Sequence, residues 1–85
     1  MSAGWEFYAS ERVARFLAGL TAREEAKLLN IFERMARNPH LQPDDLPRTD
    51  AKGRRTWLRF TDGFAIIFWL DHAEKEVRVT DVGFD

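Results

Sequence analysis

A chain of 85 residues has room for one hydrophobic core, which excludes a second domain within residues 1–85. With 45 % hydrophobic and 32 % charged residues it is a globular sequence, neither a disordered nor a membrane-embedded one. A net charge of −1 and the absence of cysteine exclude a uniformly basic nucleic-acid coat, a disulfide scaffold and a thiolate zinc site.

Trp5-Glu6-Phe7-Tyr8-Ala9 alternates, with Trp5, Phe7 and Ala9 on one side, and predicts a first strand. Ser10 stands where a helix N-cap belongs, followed by Glu11, whose charge suits a helix N-terminus. Val13, Phe16, Leu17 and Leu20 then recur at helical spacing and form one apolar stripe, which Gly19 and Thr21 interrupt. Thr21 and Glu24 have the spacing of a capping box, so a second helix starts at once. Its wide apolar set is Ala26, Leu28, Leu29, Ile31, Phe32, Met35 and Ala36, and Asn38-Pro39 ends it. So short a connection makes the two helices an antiparallel hairpin.

Residues 39–55 contain Pro39, Pro43, Pro47, Asp44, Asp45 and Gly53 without a period, and read as a loop with one helical turn near Leu46. From Thr56 the period becomes two. Leu58 and Phe60 alternate with Trp57, Arg59 and Thr61, and the first pair reads as the core side. Thr61-Asp62-Gly63 signals a hairpin. Phe64 to Leu70 is apolar on both faces, as suits a strand in mid-sheet. Asp71 to Lys75 makes a further turn, and Glu76 to Val82 the last strand. The predicted core includes Phe7, Leu17, Phe32, Leu58, Phe60, Ile66 and Phe68.

The order β-α-α-β-β-β, at this length, resembles the RelE/ParE superfamily of toxins. Trp57-Leu58-Arg59-Phe60 is similar to the family's "ELR" strand, and Gly63-Phe64-Ala65-Ile66-Ile67-Phe68 to its "G-Y-R-V-I-Y" strand. Val77-Arg78-Val79-Thr80-Asp81-Val82-Gly83 resembles the closing strand. The resemblance covers nearly the whole chain through short motifs. It implies an α+β fold, with a helical hairpin on one face of a small, mainly antiparallel sheet, forming a single domain over 1–85. It further implies a growth-inhibiting toxin neutralised by an antitoxin from an adjacent gene, acting through translation or DNA gyrase. Two features depart from the ribonuclease branch. Ala65 stands where that branch has an arginine that helps hold the substrate phosphate. Gly83 is followed by Phe84-Asp85 rather than by basic residues; a HigB-like branch shares the Gly-Phe pair but continues into two lysines.

Charge is unevenly placed. Residues 48–59 carry Arg48, Lys52, Arg54, Arg55 and Arg59 against Asp50 alone, whereas residues 60–85 carry two cations and six acids. Such a band suggests a local anion site. Lys52, Arg54, Arg55 and Arg59, with Trp57 to stack on bases, suit an RNA backbone. Arg59 and Arg55 are the candidate catalytic pair of a metal-independent endoribonuclease, in which cations stabilise the charge developing on phosphorus. On that reading Arg59 and Trp57 face away from the core. The competing readings are a dock for an acidic antitoxin segment, or a solvated surface with edge-strand arginines. A degenerate member that keeps partner binding without toxicity also stays open.

Ala65, Ile67 and Trp69 line the second face of the central strand and need a cover. The candidates are loop 39–55, a partner segment, or a second copy of the chain. Trp69, Ile67 and Trp57 are the expected partner-binding residues. His40 and His72 read as surface or capping residues, and no spacing supports a metal. No cofactor is expected. The start, Met1 to Glu6, has neither basic n-region nor apolar stretch, and Phe64 to Leu70 is too short to span a bilayer. No targeting segment and no membrane partner are therefore expected, and the cytoplasm is the expected location.

Overall fold

The computed structural model describes residues 4–85; Met1 to Ala3, within the start read above for a targeting segment, lie outside the described residues. The alternating segment is strand β1, Glu6–Ala9. Ser10 turns the chain into helix α1, Glu11–Ala18, its hydroxyl oxygen accepting from the Val13 N–H at 3.2 Å. The same hydroxyl donates to the Thr80 carbonyl at 3.0 Å, which ties the cap to the sheet. Helix α2, Ala22–Arg37, begins with the complete capping box: Glu24 N–H to Thr21 Oγ1 at 3.1 Å, and Thr21 N–H to Glu24 Oε1 at 2.9 Å. Local sequence thus fixes both helix starts.

The remaining strands are β2 (Leu46–Thr49), β3 (Arg55–Thr61), β4 (Phe64–Asp71) and β5 (Glu76–Phe84). They form one sheet in the order β1-β5-β4-β3-β2, in which only the β1–β5 pair is parallel. The expected α+β architecture is therefore present, with β4 in the middle.

Strand β2 corrects the reading of 39–55 as a loop with a helical turn. Asp50 makes the difference. Its Oδ1 accepts from the N–H groups of Lys52 (2.9 Å) and Arg54 (2.8 Å), and its own N–H donates to the Arg54 carbonyl at 2.9 Å. Gly53, at φ +82°, supplies the left-handed residue that closes this turn. The chain then runs back along β3, Leu46 opposite Leu58 and Arg48 opposite Thr56.

Both helices lie on one face of the sheet. Val13, Leu28, Ile31, Phe32 and Met35 meet Phe64, Ile66, Phe68, Val77, Val79 and Val82 there. Phe32 and Phe68 are fully buried, each stabilising the fold by about 1.5–3 kcal/mol relative to exposure. Phe7 and Leu17 are partly buried against this cluster, and Phe7 packs on Phe32 at 5.5 Å. The expected core members Leu58 and Phe60 are elsewhere. They lie on the opposite face of the sheet, where Phe60 is 51 % exposed.

The β3–β4 turn is the physical reason. Asp62 (φ 51°) and Gly63 (φ 87°) form a two-residue left-handed turn that sets Thr61 opposite Phe64. Counting back, Arg59 pairs with Ile66 and Trp57 with Phe68, so both share the helix-covered face. A second local device sits in β5. The register shifts between Ile67 and Phe68, leaving Thr80 as an extra residue, whose hydroxyl donates to the Ile67 carbonyl at 3.3 Å.

Candidate functional site

The pairing registers divide the candidate residues between the two faces. The helix-free face carries Thr56, Leu58 and Phe60 of β3 with Ala65, Ile67 and Trp69 of β4. Leu46 and Arg48 extend it on β2; Asp81, Gly83 and Arg78 extend it on β5. One cross-strand row reads Leu46, Leu58, Ile67, Asp81, and the next Phe60, Ala65, Gly83. The small Ala65 and Gly83 lower the floor. Together with Leu58, Ile67, Asp81 and Val82 they line a hollow of about 200 Å³. Phe60 and Leu46, both roughly half exposed, stand on the same face, in the rows of Ala65 and Leu58.

Arg59, the leading catalytic candidate, is not on this face. Its Nε donates to Asp45 Oδ1 at 2.8 Å, and its Nη2 to Asp45 Oδ2 at 2.7 Å and to the His40 carbonyl at 3.1 Å. Both side chains are buried, at 8 % and 1 % exposure. The guanidinium also lies 4.8 Å from the Phe68 ring centre. The expectation that Arg59 faces away from the core is therefore corrected. Its Nε and Nη2 are occupied in clamping the loop after α2, and the sheet separates it from the helix-free face. Burial pushes the Asp45 carboxyl up. The Arg59 bonds, the Gln42 N–H bond at 2.7 Å and the guanidinium charge outweigh that and hold it below the usual range.

Trp57 shares the helix-side face with Arg59, half-buried against the core, so it does not stand beside Ile67 and Trp69 as a common anchor. The other cations of the band remain outside the core. Arg54 stacks on Trp69 at 4.1 Å, on the helix-free side, and Arg55 lies 5.8 Å from the Trp57 ring centre. Lys52 is in the β2–β3 turn. Among the described residues, Arg48, Lys52, Arg54 and Arg55 make no ion pair, whereas Arg12, Arg34, Arg59 and Arg78 do. Loop 50–54 thus gives part of the cover that the second face requires. It lies over Trp69 through Arg54, and Asp50 and Ala51 line a hollow of about 290 Å³ with Arg48, Thr56 and Thr80. Leu46, Leu58 and Phe60 stay outside that cover.

Trp69 has a second cation, Arg78 at 5.7 Å, which also stacks on Tyr8 at 4.9 Å and pairs with Asp71 and Glu76. The histidines stay apart from the face. His40 contributes its carbonyl to Arg59, and His72 packs edge-on against Trp5 at 5.1 Å. Among the described residues no group of three His, Cys, Asp or Glu could hold a metal ion. No helix among them is long and apolar enough to cross a membrane. Sequence reading missed Asp45 and Phe60. Asp45 carried no linear signal. Phe60 did, because the two-residue turn at Asp62-Gly63 dictates the register.

The RelBE2 toxin–antitoxin complex from Mycobacterium tuberculosis matches with a TM-score of 0.76 at 14 % identity, over 98 % of this chain and 100 % of that chain. The archaeal RelE–RelB complex from Pyrococcus horikoshii OT3 matches with a TM-score of 0.73 at 10 % identity, over 95 % and 94 %. The intact E. coli RelBE toxin–antitoxin complex gives a TM-score of 0.63 at 14 % identity, over 95 % and 96 %. Searched against family models and curated proteins, the sequence matches none. The fold is that of the RelE toxins, shared at sequence identities where fold alone is common to the chains.

Proposed function

We propose that this chain is the toxin component of a toxin–antitoxin module, neutralised by direct binding of an antitoxin, and that it acts by docking onto a protein. The observation that carries the docking reading is the helix-free face. Leu58, Phe60, Ala65 and Ile67 occupy its centre, while Arg59 is consumed by Asp45 behind the sheet. An apolar centre with a rim of unpaired cations is the make-up of a protein interface, not of a phosphate-cleaving groove. Partner-binding roles for Trp69, Ile67 and Phe60 follow, with Arg48, Arg54 and Arg55 meeting acidic residues of the partner. Three of the solved structures that share the fold are toxin–antitoxin complexes, which supports an antitoxin as that partner. The target of the free toxin is then in translation or is DNA gyrase, in the cytoplasm. One observation favours RNA contact as a second reading: Arg54 and Arg55 are unpaired beside Trp69 and Trp57.

Induced expression with and without the adjacent gene tests the proposal. Growth arrest relieved by that gene's product, with translation or supercoiling altered and no RNA cut by the purified chain, is the expected result. Cleavage of RNA by the purified chain would sink the docking reading, and binding without growth arrest would leave a non-toxic relative.

A further inference from the structure

A hollow of about 230 Å³ opens between the C-terminal half of α2, the loop that follows it and β3. Ile31 and Met35 of α2, both buried, supply its apolar lining. Two arginines border it, Arg34 from α2 and Arg59 from β3, and among the described residues no carboxylate does. Thr61 and Arg59 put it on the helix side of the sheet, away from Leu58 and Phe60.

Arg59 is held rigidly there. Its Nε and Nη2 give their N–H groups to Asp45 and to the His40 carbonyl, whereas Nη1 makes no hydrogen bond and is not sealed from solvent. The side chain is only 8 % exposed, so what remains of it for a ligand is this nitrogen, at the hollow. A guanidinium nitrogen with two idle N–H groups can serve only an acceptor. Asn38, Gln42 and Thr61 also border the hollow, and their side-chain amides and hydroxyl bond to nothing in the chain. The hollow thus gathers polar groups that the fold itself does not use.

Arg34 is the movable cation. Its Nη2 donates to Asp62 Oδ2 at 3.1 Å, but both side chains are about half exposed, and such a pair holds weakly. Arg34 can therefore exchange Asp62 for a ligand oxygen while Asp62 returns to water. Asp45 still neutralises one of the two arginines, so the exchange leaves a single positive charge at the hollow. That matches a monoanion. A phosphate dianion would keep an uncompensated charge against Ile31 and Met35. We infer that this hollow binds a small organic monocarboxylate, its oxygens on Arg59 Nη1 and Arg34 and its short apolar body on Ile31 and Met35. Asn38, Gln42 and Thr61 complete the hydrogen bonds of the carboxylate. The inference is independent of the docking reading, because it uses the helix side of the sheet.

The test titrates the full chain, labelled with nitrogen-15, with isobutyrate, and with isobutyramide as a neutral probe of the same shape. Saturable shifts are expected at Asn38, Gln42, Thr61 and the Arg59 Nε–H, with isobutyrate alone. Arg34→Gln is expected to weaken isobutyrate by about tenfold at unchanged Tm, because the pair it breaks is exposed. Thr61→Val keeps the side-chain shape, removes the hydroxyl and is expected to weaken isobutyrate as well. Arg59 itself is left in place, since its pair with Asp45 holds the fold. Equal binding of isobutyramide, tighter binding of inorganic phosphate, or an affinity that Arg34→Gln leaves untouched would each overturn the inference. Shifts that never saturate would reveal an adventitious ion only, and would overturn it too. A peptide with a free C-terminal valine that binds more tightly than isobutyrate would overturn it in favour of a protein segment.

Discussion

Arg59 shows at the residue scale how strand geometry decides a side chain's chemistry. The same guanidinium that suits a phosphate site is, one register away, the anchor of a buried ion pair with Asp45. Breaking such a pair strands a charge, so Arg59→Ala should destabilise the chain by about 3–5 kcal/mol in denaturant unfolding. Asp45→Ala should cost a similar amount, and the double variant less than the sum of the two. A loss of activity with unchanged stability would instead place Arg59 in a functional role. The pair also predicts a pH response. The folded-state pKa of Asp45 lies below its ordinary 3.8, so its contribution is complete above that value and is lost as pH falls through the lower folded value. Stability should therefore drop below about pH 4, and Asp45→Asn should flatten that part of the profile, read by thermal melts against pH.

At the scale of elements, the turn between β3 and β4 governs the site. Asp62 and Gly63 both sit at positive φ, and their two-residue loop fixes which residues of β3 meet the helices. Placing a Cβ at Gly63 meets no neighbour, so the cost of Gly63→Ala is conformational alone, about 1–2 kcal/mol in unfolding experiments. A slip of one residue would bury Leu58 and Phe60 and expel Arg59. The alternation of Leu58 and Phe60 pointed to that slipped arrangement, because two large apolar residues outweigh an arginine in any pattern reading. The turn overrules it. Helix starts behave differently: Ser10, Thr21 and Glu24 form their caps from residues within one turn, so those boundaries were legible directly.

For the whole molecule, the consequence is a sheet with one face filled and the other only partly sheltered by loop 50–54. If the helix-free face docks a partner, Phe60 is the cleanest probe of it. Its side chain is 51 % exposed, so Phe60→Ser should shift stability by no more than about 0.5 kcal/mol. Binding to the adjacent gene's product, measured by calorimetry, should weaken by about 2 kcal/mol, as for a buried aromatic anchor. Trp69→Ala should weaken binding too, and should also reduce stability, because Arg54 and Arg78 stack on that ring within the chain. Wild-type affinity in both variants would show that the face is not the interface.

The sequence by itself determined the elements whose causes are local. Capping residues, helical stripes, the Asp62-Gly63 turn and the two-sided apolar run of β4 gave the α+β order, the helical hairpin and the central strand. The basic band was also plain in the sequence, as a set of charges. Tertiary structure alone decided what those charges do. Partnering Arg59 with Asp45 joins residues on separate elements, and stacking Arg54 on Trp69 requires loop 50–54 to fold onto the sheet. Strand β2 depended likewise on Asp50 gathering two N–H groups into a turn, which no period in 39–55 announces. Periodicity reports which residues share a face; only pairing between strands reports which face is buried.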